Sequence, residues 1–442
     1  MNLVERLLAL FGLRLSPEAL TRKANFFASK ENVAGAVEHF KKALAADQMF
    51  VPAYDGLGRL YFRMGFRTEA DREFAIADGL EKLQTDSPDV EAAVKMGWAM
   101  MDKGLYSLAV SKVEPLLKLN PRHPELLKVL GISYKVLGND KRARELLRTG
   151  LERWPRVIDF YQHLGSLESK AGNMEEGERL LNISRLMAKA ESDPLDTEAR
   201  YHLGNLFHSC NQDDLAAEYL RQALAVDKEK IDHWMLLGEC YLSAGLYPAA
   251  EDALRQASRL APVDPRPHRL LAKVYQLMGR FDEGRQAREL TAVLEAGQGE
   301  AESAQQGARF IKYLLAIGRS GEAEQRLQEL MAKWPGDLDL KILQGRLIFR
   351  RKDYTEAIAV LQEVAQAKET LAEPHIWMAL AYQRLGDPMS SLAEGQLATR
   401  LAPKSYAAYK VLGDILREQR KFGMAENAYE TAEHLRPGKK EK

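Results

Sequence analysis

Residues 234–262 read WMLLGECYLSAGLYPAAEDALRQASRLAP. Trp234, Leu237, Gly238 and Tyr241 follow one another at steps of three, one and three, which places them on one stripe of a helix with 3.6 residues per turn. Gly245 then supplies the left-handed residue that closes the helix, and a second apolar stripe follows at Ala250, Leu254 and Ala257. Pro262 ends that second helix, because it lacks the amide that the ladder needs and restricts the residue before it. Gly238 and Ala250 are small, as a close crossing of the two helices requires, while Trp234 and Tyr241 fill the space around the crossing. One such hairpin has two apolar faces and cannot bury both by itself. Copies must stack.

The copies are present. The Gly238 position recurs at Ala24, Gly58, Gly97, Gly131, Gly165, Gly204, Gly238, Ala272, Ile311, Gly345, Ala379 and Gly413. Eight of the eleven intervals are 34 residues and three, from 58 to 97, 165 to 204 and 272 to 311, are 39. The copies at 51–84 (Tyr54, Leu57, Gly58, Tyr61, Ala70, Phe74, Ala77) and 124–157 (Leu127, Leu130, Gly131, Tyr134, Ala143, Leu147, Pro155) are the fullest. The copy at 304–337 is the weakest, with Ile311 in place of glycine, though Ala323, Leu327 and Pro335 keep register. A super-period of 107 residues links Gly58, Gly165, Ala272 and Ala379, as duplication of a three-unit block would leave it. The five extra residues fall near 85–89, 192–196 and 299–303, where the second helix either lengthens or ends in a longer loop.

The pattern W-x2-L-G-x2-Y followed by Ala, an aromatic or aliphatic residue, Ala and Pro resembles the tetratricopeptide repeat. The resemblance covers nearly the whole chain in about twelve units. It implies an all-α solenoid of stacked antiparallel helix pairs wound into a right-handed superhelix, with the first helices lining a concave surface. Residues 1–16 are expected to form an N-terminal amphipathic cap helix, 17–295 repeats 1–8, 296–308 a hinge and 304–439 repeats 9–12, with 440–442 a charged tail. For 296–308, AGQGEAESAQQGA, the alternative is a frayed helix end within one continuous superhelix.

The resemblance also implies that repeat positions 5, 9, 12 and 13 point into the groove. Of those 48 positions thirteen are basic: Arg59, Arg63, Lys128, Lys135, Lys170, Arg269, Lys273, Lys312, Arg346, Arg350, Arg384, Lys410 and Arg417. Five are acidic: Asp55, Asp102, Glu239, Asp414 and Glu418. That surplus of eight stands in a chain whose 63 basic and 63 acidic residues cancel, so an acidic guest is favoured. Phe62, Trp98, Met101 and Phe349 add apolar surface among the charges, and Tyr201 and Asn205 represent the nearly neutral stretch at repeats 5–7. Trp98 lies off the packing stripe and reads as an anchor for a partner, with packing on the next repeat as the alternative. Trp154 and Trp334, each before a proline, read as structural, and Trp234 as core. The Lys–Asn–Asn–Lys–Arg clamp of the co-chaperone branch is absent: Asn25 and Asn205 stand at position 9, but no window of three repeats completes the set.

Nothing in the chain suggests catalysis. There is no phosphate loop, G-x-S-x-G, H-E-x-x-H or C-x-x-C. His163, His202, His208 and His233, with Cys210 and Cys240, lie on successive repeats, whose equivalent positions are roughly 10 Å apart. No metal or cofactor is therefore expected. A composition of 29% charged and 46% hydrophobic residues suits a water-soluble helical protein. No run approaches the roughly 20 apolar residues of a membrane span. Glu5 interrupts the start of what would be a signal peptide, so the cytoplasm is expected rather than the periplasm.

The expected function is a non-catalytic scaffold that holds an extended or helical acidic segment of a partner protein, with self-association through the terminal repeats possible and no nucleic acid bound. Two alternatives stand beside it. One is a peripheral membrane assembly factor for envelope, secretion or polysaccharide machinery, attached by residues 2–14. The other is a regulatory subunit of an enzyme such as a glycosyltransferase.

Overall fold

The structure is a computed structural model that describes residues 15–84, 89–299, 301 and 303–436. The expected cap helix at 2–14 and the tail at 440–442 lie outside the described residues. Among those described are twenty-four α-helices, two per repeat, and no strand.

The turn inside each hairpin explains the regularity. Seven residues after every position in the Gly238 series, the backbone takes a positive φ. Glycine occupies this place in eight repeats, among them Gly245 at φ 75°. Glu31, Asn211, Lys352 and Arg420 occupy it in the other four, at 57° to 69°. Glycine is favoured because the left-handed region carries no Cβ penalty for it. Acidic and hydroxyl side chains start many first helices: Asp196 accepts from the amide of Ala199 at 2.8 Å, and Asp337 from that of Leu340 at 3.0 Å. The close crossing inferred at Gly238 is present, since a Cβ there would stand 2.6 Å from Leu254.

In each of the three long intervals the second helix is lengthened. Ordinary second helices run 13 or 14 residues, such as Tyr247–Leu260. Those of repeats 2, 5 and 8 are Arg67–Lys82, Met174–Ser192 and Phe281–Gln298, with 16, 19 and 18 residues. Arg200 is buried at the end of the longest. It donates to the carbonyls of Ala190, Asp193 and Asp196, and so anchors the connection that follows.

Two compact units divide at Val226 and Asp227, six repeats in each. Within each unit the first helices of neighbouring repeats touch, except across the three long second helices, and among the described residues no second helix touches another. First helices therefore lie on the inside of the local curvature and second helices on the outside. Around the stretch expected to be a hinge, Ala301, Ala304 and Ala308 are buried with Leu294, Phe310 and Ile311. A Cβ on Gly297 would meet the Phe310 ring at 2.3 Å.

Candidate protein-binding face

The inner face is set by which inward positions remain open after the repeats pack. Position 5 is partly consumed by packing, with Val94, Met235, Ala308 and Ile342 buried and Gln162, Arg269 and Lys410 exposed. Met101 is also buried, 8% exposed, so it forms floor rather than free surface. Phe62 is 61% exposed, and Arg59, Arg63 and Asn205 beside or along that face are exposed. Tyr201 is half-buried with its ring 5.7 Å from that of His202.

The expected basic surplus is partly neutralised by neighbours. Arg59 pairs with Asp55 at 2.9 Å, Lys170 with Asp140 at 2.9 Å and Arg269 with Glu295 at 2.5 Å. Lys128 bridges Glu125 at 2.8 Å and Asp159 at 3.1 Å. Burial pulls its pKa down, but the contacts to Glu125 and Asp159 together outweigh this and raise it. Arg346 reaches only Glu373, at 3.4 Å. The other eight have no carboxylate at ion-pair distance among the described residues. Two of the eight, Arg63 and Lys135, are in the first unit. Six, Lys273, Lys312, Arg350, Arg384, Lys410 and Arg417, are in the second.

In the first unit Trp98 donates its indole N–H to Glu125 at 3.1 Å, and the Lys128 ammonium stands 5.6 Å from the ring centre. Lys135 is half-buried, and burial, reinforced by Lys170 and opposed by Asp140, holds it below the usual lysine range. His163 is depressed by burial, then by Lys135 and Lys128 against Asp159, so it is neutral near pH 7.

In the second unit the side chains converge more tightly. Arg346, on helix Leu338–Arg350, lies with its guanidinium carbon 4.8 Å from the Trp377 ring centre. Phe349 meets that indole edge-on at 5.6 Å and Tyr354 at 5.2 Å. Arg350, one turn from Arg346, donates to Ser320 at 3.3 Å and remains exposed. Lys312 is half-buried on the neighbouring first helix, Ala304–Ala316. Trp377 escaped the sequence reading because it sits two residues before Ala379, outside the four inward positions. A tryptophan at that step was the available signal.

The other tryptophans are structural. Trp154 donates to the Arg122 carbonyl at 2.9 Å, Trp234 to that of Lys228 at 2.8 Å, and Trp334 packs on the core of repeats 9 and 10.

With this geometry in place, family models described as tetratricopeptide repeats match residues 197–230, 214–274 and 308–372. The first span holds one complete hairpin, Thr197–Ser209 and Asp213–Val226. The chain is a tetratricopeptide repeat protein. It is 23% identical over 225 residues to the TPR repeat-containing protein YpiA of Bacillus subtilis (strain 168), covering 51% of each chain. It is 24% identical over 201 residues to lipopolysaccharide assembly protein B of Escherichia coli (strain K12), covering 44% of this chain and 52% of that one. It is 25% identical over 231 residues to the human protein O-mannosyl-transferase TMTC1, covering 52% and 25%. The chain thus spans from a quarter to about half of the length of these relatives. Among solved structures, the Cut9–Hcn1 hetero-tetramer matches at 13% identity over 96% of this chain and 94% of that one, with a TM-score of 0.29. MamA matches at 20% identity over 41% and 96%, with a TM-score of 0.27. The repeats and the relatives support a protein-interaction scaffold in general terms. No helix among the described residues is long and apolar enough to cross a membrane.

Proposed function

We propose that this tetratricopeptide repeat protein is a non-catalytic cytoplasmic scaffold whose inner face holds an acidic segment of a partner protein, chiefly through the second unit. The observation that supports this reading is the set of six groove cations there with no carboxylate at ion-pair distance among the described residues: Lys273, Lys312, Arg350, Arg384, Lys410 and Arg417. Cations on a curved wall reinforce one another's field and attract an anionic chain, and their salt dependence is correspondingly steep. An extended or helical guest suits a row of equivalent positions, because each repeat contributes one modest contact.

The test is recovery of the tagged protein from its native cell beside a variant with Lys273, Lys312, Arg350 and Arg384 changed to Glu. Loss of a specific acidic partner from the variant supports the reading. Retention of the same partners by both would move the site to the convex face or the N-terminal stretch.

A second reading is favoured by two of the relatives. Similarity to a lipopolysaccharide assembly protein and to an O-mannosyl-transferase suits a regulatory or peripheral assembly subunit of glycan machinery. A co-purifying glycosyltransferase, or membrane recovery that depends on residues 2–14, would favour it over the first. Self-association through the terminal repeats would show as a concentration-dependent mass.

A further inference from the structure

Arg346 is held in an unusual state for a groove cation. Its side chain is 18% exposed, it makes one 3.4 Å contact to Glu373, and its Nε is buried without a hydrogen-bond partner. Buried guanidinium donors cost free energy when left unfilled, and the planar fork suits a carboxylate with two parallel bonds. Stacking on Trp377 fixes the plane of that fork before any guest arrives. Arg350 lies one turn along the same helix and donates to the Ser320 hydroxyl, and Lys312 on the neighbouring first helix has no carboxylate at ion-pair distance among the described residues. Glu373, already shared with Arg346, does not balance these three charges. Beside them, Phe349, Trp377 and Tyr354 form a continuous aromatic shelf.

We infer that Arg346, Arg350 and the Phe349–Trp377 shelf together form a recognition point for a short peptide motif, an aspartate or glutamate next to an aromatic residue. The carboxylate bridges the two guanidiniums and the aromatic ring lies on the shelf. Charge complementarity argues for the acidic half of the motif. The preassembled aromatic group, half-buried rather than fully covered, argues for the other half, since rigid aromatic surface adds affinity at low entropic cost. This inference rests on the acidic-guest reading above and narrows it to one place and one side-chain pair.

The experiment uses the full chain, fluorescently labelled, on immobilised peptides with a Gly-Ser host. Four cores are compared: Glu-Phe, Glu-Ala, Gln-Phe and phosphoserine-Phe. Binding is measured for the wild type, Arg350→Gln, Arg346→Lys and Trp377→Leu, with helicity and thermal midpoint recorded for each. Arg350→Gln is the informative variant because that side chain is exposed, so its fold is expected to survive. The inference expects Glu-Phe to bind best, and Arg350→Gln and Arg346→Lys each to weaken it roughly tenfold, as loss of a charge-assisted contact does. Trp377→Leu should weaken Glu-Phe more than Glu-Ala, because it removes the aromatic shelf as well as the surface that orients Arg346. Equal binding of Glu-Phe and Glu-Ala overturns the shelf and leaves the wider acidic reading standing. Preference for the phosphoserine core overturns the carboxylate. Failure of every acidic core to exceed Gln-Phe overturns both readings together.

Discussion

Trp98 and Glu125 are joined across a repeat boundary, the indole N–H donating to the carboxylate at 3.1 Å while Lys128 approaches the same ring. A tryptophan on the inner face is thereby tied to the first helix of the next repeat, Pro124–Val136. Trp98→Phe keeps most of the ring and removes the donor, and should lower stability by about 1 kcal/mol, the usual net worth of such a bond. Trp98→Ala also removes the packed ring and should cost about 3 kcal/mol, the scale of large-to-small replacements. Urea unfolding midpoints of both variants decide this. Equal, negligible shifts would show that the ring carries no structural load and return it to the role of a free anchor.

Glycine-to-alanine substitution should change sign along this chain. At Gly297 the added methyl would stand 2.3 Å from Phe310, inside the stretch expected to be a hinge. Overpacking there should cost about 1–3 kcal/mol. At Gly321, in the first turn of helix Ser320–Lys333, no atom lies within 4 Å, and alanine should stabilise by about 0.5 kcal/mol through helix propensity. Thermal midpoints moving in opposite directions are expected. A neutral Gly297→Ala would mean that the Phe310 ring yields easily, as a hinge in this stretch expects.

Repeat register was legible because it is local chemistry. Gly245 must leave the turn in the left-handed region, Pro262 must end a helix, and Gly238 must let Leu254 approach. These requirements recur with the hairpin and survive even where Lys352 or Arg420 replaces the turn glycine. Charge on the face was legible only in part. The i,i+4 spacing of Asp55 and Arg59 on one helix announces their pair, but nothing in the order of residues reveals that Arg269 is answered by Glu295 on the second helix of its repeat. Trp377 was missed for the same reason. Its value comes from Arg346 and Phe349, 31 and 28 positions earlier, and such a relation belongs to packing between repeats.

Acid should weaken the fold through two histidines. Burial depresses His163, with Lys135 and Lys128 assisting against Asp159, and burial depresses His268 against Asp264. In each case the unfolded chain binds the proton more readily, so stability is full above the ordinary value of about 6.5 and falls as pH drops below it toward the folded value. Denaturation midpoints measured from pH 7.5 to 5 should decline over that window. Replacing both residues by Gln should flatten the slope. An unchanged slope would assign the acid sensitivity to carboxylates.

At Lys135 the consequences for stability and for binding oppose each other. The lysine is half-buried with no carboxylate at ion-pair distance among the described residues, and burial, with Lys170 assisting against the more distant Asp140, depresses it. Lys135→Met keeps the long stem and removes the charge, and should stabilise by about 0.5–1 kcal/mol, as relief of a locally unfavourable functional group commonly does. The folded lysine releases its proton below the ordinary value near 10.4, so the wild type's deficit is complete at neutral pH and closes as pH rises through the folded value toward the unfolded one. The same variant should bind an acidic peptide more weakly at low salt. A gain in stability with no loss of binding would show that Lys135 is a tolerated defect, whereas loss of both would show that its charge supports the repeat itself.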